Sequence, residues 1–293
     1  MSLGIYAELL AFGLAVGGLY ALTASGLNLV VGVMKILNIA HGEMLMLGAY
    51  TAFWAFTLWD VHPLLSVLLT GPLLFLLGVV IHQLVVRPII RVSPTVERLE
   101  RATLIGFFGV LIVLQNAALL LWTADYRVLN VLQTPVPGLH ISVARLAVFL
   151  VSLALVFALH LLLMRTRFGK AVRAVSQDRD MAALLTIDVK TIGLLAFGLG
   201  SAMAGLGGSL ASMIYVTTPT MGLMFTLKAF TVMVVGGLGS VLGNVVAGLA
   251  LGLAEEFGAF WIGEAYKDVI DYVVLIAVIL LISYGYLRRR ELA

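Results

Sequence analysis

The stretch RTRFGKAVRAVSQDRDMAALLTIDVK, Arg165–Lys190, is a polar island between two apolar runs, VARLAVFLVSLALVFALHLLLM at 143–164 and TIGLLAFGLGSAMAGLGGSLASMIYV at 191–216. Each flanking run is long enough to cross the roughly 30 Å hydrocarbon core of a bilayer as a helix. The island therefore sits at a membrane surface. Within it Phe168, Ala171, Val172 and Val175 recur at i, i+3, i+4 and i+7, one face of a helix, while Lys170, Arg173 and Gln177 lie on another. Asp178 has the side chain to cap a second short helix, and Asp180 is favourable in its first turn. The pattern predicts a small amphipathic platform, about residues 165–190, carried on one face of a membrane protein.

The rest of the chain is of one kind. Over 293 residues it is 62% hydrophobic and 11% charged, with mean hydropathy +1.11, a balance unlike that of soluble domains. About eight apolar segments are long enough to span, at roughly 9–33, 41–58, 64–86, 103–122, 143–164, 191–216, 226–255 and 269–287. The expected fold is all-α and polytopic, a single transmembrane domain over residues 1–293. The first run is too long for the apolar core of a secretory signal and reads as a retained span. The seventh contains GGLGSVLGN, Gly236–Asn244, and so much glycine predicts a helix broken at Gly236–Ser240. The absence of cysteine excludes disulfides and thiolate chemistry.

The net charge of +3 lies in loops between apolar runs, so it reports topology and not nucleic acid. Arg87, Arg91, Arg98 and Arg101 follow the third run, the island carries six more basic residues, and the tail ends in Arg288, Arg289 and Arg290. These regions are expected in the cytoplasm, with the C-terminus. The stretches around Asp60, 123–140, 217–223 and 256–267 carry Arg127 and Lys267 alone and are expected outside. A single seventh span would put the basic tail outside. A break at Gly236–Ser240 that reverses the chain restores it, so charge and glycine content predict the same discontinuity.

Small residues recur at intervals of four: Gly13, Gly17, Ala21 and Ser25; Gly200, Ala204 and Gly208; Gly239 and Gly243; Gly248 and Gly252. Such stripes allow close helix approach, within the chain or with a partner. Polar residues inside the runs are candidates to line a translocation path: Asn28, Asn38, His41, Glu43, Gln115, Asn116 and Asn244. Each has a second reading as an interhelical hydrogen bond. Glu43 also reads as a first-turn residue at the start of the second run, capped by Asn38 and near Lys35 and His41. No phosphate loop, HExxH or nucleophile elbow occurs, and the histidines at 41, 62, 82, 140 and 160 lack metal-ligand spacing. Neither catalysis nor a metal site is expected of this chain.

Three stretches carry a resemblance: GLYALTASGLNLVVGVMKILNIAHGEMLMLGAY, TRFGKAVRAVSQDRDMAALLTID and KAFTVMVVGGLGSVLGNVVAGLALGLAEE. In order and spacing they resemble the high-affinity branched-chain amino-acid permeases of ABC importers. The resemblance implies a multi-pass subunit of a bacterial or archaeal cytoplasmic (inner) membrane that forms half of a path for a small polar solute. Branched-chain or related amino acids come first; urea, amides and aromatic acids are served by related permeases. It implies as partners a homologous second permease, two cytoplasmic ATPases and a periplasmic binding protein, with ATP and Mg held by the ATPases and no cofactor by this chain. The matching loop docks on an ATPase in that family. Gly169, Arg173, Ala174, Asp178, Ala182, Leu184 and Ile187 fall on its pattern, with Lys170 and Asp188 beside them. Thr186 departs from it, where a glycine commonly closes the helix in the left-handed region and threonine is strained. Two other classes stand against this reading. An ion-coupled secondary transporter usually holds several carboxylates at membrane depth, and Glu43 is the one candidate here. A passive channel has no use for the platform.

Overall fold

A computed structural model of the chain describes residues 3–93, 95–136 and 141–291. Of the residues singled out above, His140 lies outside them. The described helices are α1 (Leu3–Met34), α2 (His41–Trp59), α3 (Pro63–Ile81), α4 (Arg87–Val92), α5 (Val96–Trp122), α6 (Val143–Arg165), α7 (Arg167–Gln177), α8 (Arg179–Leu184), α9 (Val189–Ala211), α10 (Met221–Gly236), α11 (Val241–Ile262) and α12 (Lys267–Glu291). A π-turn, His82–Val86, joins α3 to α4, so the third run continues as helix through the first arginines of the expected loop. By length and composition six of the described helices can cross a membrane, and α10 is a shorter apolar helix of 16 residues. The six do not include the second and last of the expected runs, which form α2 and α12, so the count of about eight is not confirmed.

Helix starts follow local side chains that accept from free amide groups: Thr95 for α5, Ser142 for α6, Thr166 for α7, Asp178 for α8, Asp188 for α9 and Ser240 for α11. Packing then depends on small residues. A Cβ on Gly17 would stand 2.7 Å from the Gly248 carbonyl, and one on Gly26 would stand 2.7 Å from that of Gly200. The stripes therefore serve close contact within the chain, α1 against α11 and α9. Gly239 is an exception, because it lies in a turn and not on a helix face.

The centre of the bundle is α1 and α9, and 78% of the most apolar window of α9 is buried, against 17% for α5. Antiparallel pairings set two faces. Thr23 meets Gly207 while Gly26 meets Gly200; Gly13 meets Gly252 while Gly17 meets Gly248. One face thus gathers the end of α1, α4, the platform of α7 and α8 and the start of α9, with Arg87, Arg91, Arg179 and Lys190 lining one cavity. The other gathers the ends of α2, α5, α9 and α11.

Two stretches are irregular at depth. Lys35 ends α1 in the left-handed region at φ 57°, and the extended residues that follow run back along the helix. They bring His41 Nε2 to the Thr23 carbonyl at 3.0 Å, three turns or about 16 Å short of Met34. The other is the predicted break. Helix α10 stops at Gly236, Gly237 and Gly239 take φ 89° and 82°, and α11 starts at Val241. Positive φ at both positions is what glycine supplies without strain.

Candidate functional site

The platform is built as the periodicity predicts. Val172 and Val175 are buried against the bundle and Lys170 and Gln177 are exposed. Gly169 lies so close to the backbone of Leu163 that any side chain would collide with it, and Arg173 Nη1 donates to the Leu163 carbonyl. These contacts fix α7 on the end of α6. Asp178 Oδ1 accepts from the amides of Asp180 (2.9 Å) and Met181 (3.0 Å) and starts α8. Ala182 is buried at 2% exposure, and Ala174 and Ile187 pack against the core. Ala174 and Ala182 therefore hold the platform to its own bundle. The side chains that α8 offers outward are Met181, Leu184 and Leu185, exposed at 55%, 77% and 68%.

Helix α8 ends in a Schellman turn. Ile187 N donates to Ala182 O and Thr186 N to Ala183 O, both at 3.1 Å. Thr186 occupies the left-handed position at φ 63°, so threonine stands where the strain was expected. Asp188 then caps α9, accepting from Lys190 N (3.0 Å), Thr191 N (3.2 Å) and the Thr191 hydroxyl (2.5 Å). That hydroxyl, followed by the amide of Thr191, holds the Asp188 carboxyl below its ordinary range.

The path candidates divide into three places. Asn28 and Asn244 meet at the break: Asn28 Nδ2 donates to Gly237 O (3.0 Å) and Asn244 Oδ1 (3.1 Å), and Asn28 Oδ1 accepts from Gly239 N (2.6 Å). One side chain thus satisfies the turn backbone that the break would leave unpaired. Between this turn, α1, α6 and α7 lies a cavity of about 320 Å³, with Asn28, Gly32, Arg173 and Ser240 in its wall. It separates the platform from the turn of the broken segment.

Asn38, His41 and Glu43 form a second group where the returning chain enters α2, each 1% exposed or less. The expected Asn38 cap is overturned: the cap position is Ala40, and no side chain caps the helix there. The Gly42 amide instead donates to Thr226 Oγ1 of α10 at 2.8 Å. The Glu43 carboxylate lies against Gly222 in the first turn of α10, and its Oε2 has no hydrogen-bond partner. Gln115 and Asn116 join neither group. They lie on the peripheral α5, where Asn116 is exposed and bonds back to Ile112 O at 2.8 Å.

A fourth cluster escaped the sequence reading. Lys228 Nζ of α10 lies 2.5 Å from Glu255 Oε1 of α11 and 2.6 Å from Asp271 Oδ2 of α12, and Tyr20 OH of α1 donates to Glu255 Oε2 at 2.7 Å. Nearby Lys267 pairs with Glu256. Glu255, Glu256 and Asp271 are all buried, which overturns Glu43 as the one carboxylate at depth. A scarcity of buried carboxylates therefore does not count against ion coupling. The signal was a lone lysine within an apolar run, which demands a counter-charge.

The model of the family described as branched-chain amino acid transport system, permease component, matches residues 9–279. The chain belongs to this family. This permease is 36% identical over 297 residues to the high-affinity branched-chain amino acid transport system permease protein BraD of Pseudomonas aeruginosa, covering 98% of this chain and 97% of the relative. It is 32% identical over 294 residues to LivH of Escherichia coli K12, covering 95% and 94%. The probable LivH of Methanocaldococcus jannaschii is 29% identical over 283 residues, covering 91% and 88%. No solved structure matches this permease.

Proposed function

We propose that this permease forms half of the path by which an ABC importer moves a branched-chain amino acid, or a closely related small polar solute, across the cytoplasmic membrane. A homologous permease completes the path, a periplasmic binding protein delivers the solute, and two ATPases holding ATP and Mg drive the cycle. The platform and the C-terminus face the cytoplasm. The observation that carries this reading is the apex of α8, where Met181, Leu184 and Leu185 are exposed on a platform that α6 and α9 hold rigidly from either side. Three apolar side chains held in water at the tip of a fixed helix form a docking surface. A push on α8 passes through α7 and Arg173 toward the cavity and the turn of the broken segment as rigid-body movement. With no nucleotide motif of its own, the chain acts as pathway and lever.

The test is purification of the tagged chain from membranes and reconstitution with its associated subunits. Two ATPases should copurify, and solute with binding protein should stimulate hydrolysis. Leu184→Asp with Leu185→Asp should abolish that stimulation while the chain still reaches the membrane. Full coupling in the double variant, or transport without any ATPase, would overturn the reading.

A further inference from the structure

A second cavity, of about 310 Å³, lies on the platform face between the π-turn, α4, α8 and α9. Its wall carries Arg87, Arg91, Arg179 and Lys190 against a single acid, Asp188. Asp188 is already occupied by two amides and a hydroxyl. No other carboxylate among the described residues pairs with these four cations. Arg87 has one neutral partner, Gln83 Oε1 at 2.8 Å. On the inner wall His82 is 5% exposed, and its Nδ1 has no hydrogen-bond partner. Arg87, Arg91 and Lys190 are exposed and Arg179 is half-buried, so the cavity presents a positive wall to an incoming anion. Beside the cavity, on the bilayer side of the arginines, Val80 and Leu84 are exposed at 48% and 72%, on a stretch long and apolar enough to cross a membrane.

We propose that this cavity is a site for the phosphate headgroup of an anionic phospholipid. The phosphate oxygens accept from Arg87 and Arg91 on α4 and from Arg179 and Lys190 at the starts of α8 and α9, while an acyl chain lies along Leu84 and Val80. Charge-assisted bonds to phosphate suit arginine forks, and a basic pocket between spans at a membrane surface meets headgroups at the right depth. The site bridges the bundle and the platform. An occupant ties α4 to α8 and stiffens the element through which the partner ATPases push. A free phosphate ion shares the headgroup chemistry but makes no use of the apolar flank.

The experiment has a binding arm and an activity arm, on the complete importer. Native mass spectrometry of the complex purified with cardiolipin should show retained lipid. Arg87→Gln with Arg91→Gln should weaken retention about thirtyfold, near 1 kcal/mol for each cation removed, and Arg87→Lys with Arg91→Lys should keep most of it. In vesicles of phosphatidylethanolamine and phosphatidylcholine, added cardiolipin should raise solute-stimulated ATP hydrolysis several-fold for the native chain and not for the Gln pair. Millimolar inorganic phosphate should neither substitute for cardiolipin nor displace it. Equal retention by the native and Gln chains would overturn the site. Displacement by phosphate would assign it to the free ion. Unchanged hydrolysis with lipid retained would overturn the bridging role. The binding arm is read without transport, so it fails or succeeds independently of the transport reading.

Discussion

Lys228 Nζ stands 2.5 Å from Glu255 Oε1, and the two residues lie on opposite halves of the broken segment. The halves are therefore fastened twice: by Asn28 at their turn and by this ion pair nearer their far ends, where Asp271 and Tyr20 extend it to α12 and α1. Removing the cation alone leaves two carboxylates buried together. Lys228→Met should cost about 3–5 kcal/mol and be seen as a lowered melting temperature of the detergent-solubilised complex. Lys228→Met combined with Glu255→Gln and Asp271→Asn removes all the charge and should recover most of the loss. No recovery would show that the cluster acts through more than its charge balance.

Asn28 tests the turn itself. Asn28→Ala leaves Gly237 O, Gly239 N and Asn244 Oδ1 without their bonds. Asn244 is buried, Gly237 half-buried and Gly239 exposed, so the cost should be about 1–3 kcal/mol, mostly from the buried group. Hydrogen exchange should speed first at residues 237–244, with α5 unaffected. Uniform loosening of the whole bundle would count against a local fastening.

How much of this was legible in the sequence depends on distance along the chain. The break was readable because its glycines lie within a few residues of one another and act on the backbone locally. The platform was readable because Val172 and Val175 share a helix face. The Lys228, Glu255 and Asp271 cluster joins three helices, and no local pattern pairs them. The return of residues 35–40 along α1 was likewise hidden, because it is fixed by His41 meeting Thr23 across the fold. Gln115 and Asn116 read as path residues by polarity alone, and only packing shows that α5 is peripheral.

Thr186 holds a left-handed φ of 63° in the Schellman turn, a conformation that costs an L-residue roughly 1–2 kcal/mol. Thr186→Gly relieves it, and after the greater unfolded-state entropy of glycine a gain of about 1 kcal/mol should remain. Slower amide exchange at positions 186 and 187, whose hydrogen bonds close the turn, would report the gain. Faster exchange would show that the threonine side chain contributes more than its backbone strain removes.

Gly32 lines the cavity between the platform and the turn of the broken segment, and a Cβ there would meet nothing within 4 Å. Gly32→Leu should therefore enter empty space without a clash, on a helix that favours leucine over glycine. If that space closes as the platform moves, solute-stimulated ATP hydrolysis should fall about tenfold or more while the complex assembles and melts no lower. Normal coupling in a cavity-filled variant would mean that the push travels by another route.

Glu43 decides between support and path. It is 1% exposed, lies against Gly222 at the start of α10, and leaves Oε2 without a hydrogen-bond partner. Two helix starts converge there, and neither Ala40 nor Thr220 caps its helix through a side chain. A carboxylate beside two helix N-termini is favoured by their dipoles, each worth up to about 1 kcal/mol. Glu43→Gln keeps the shape and an acceptor oxygen, so in a supporting role it should cost about 1 kcal/mol and retain most transport. Glu43→Leu removes the carboxylate from beside Gly222 at the start of α10 and should reduce the amount of assembled complex. The measurements are uptake into proteoliposomes and recovery of the complex by size-exclusion chromatography. If the Gln variant assembles fully, binds its ATPases and yet fails to move an ammonium-bearing solute, the charge of Glu43 lies on the solute path. Uptake of a neutral amide by the same variant would then show that the charge serves the ammonium group.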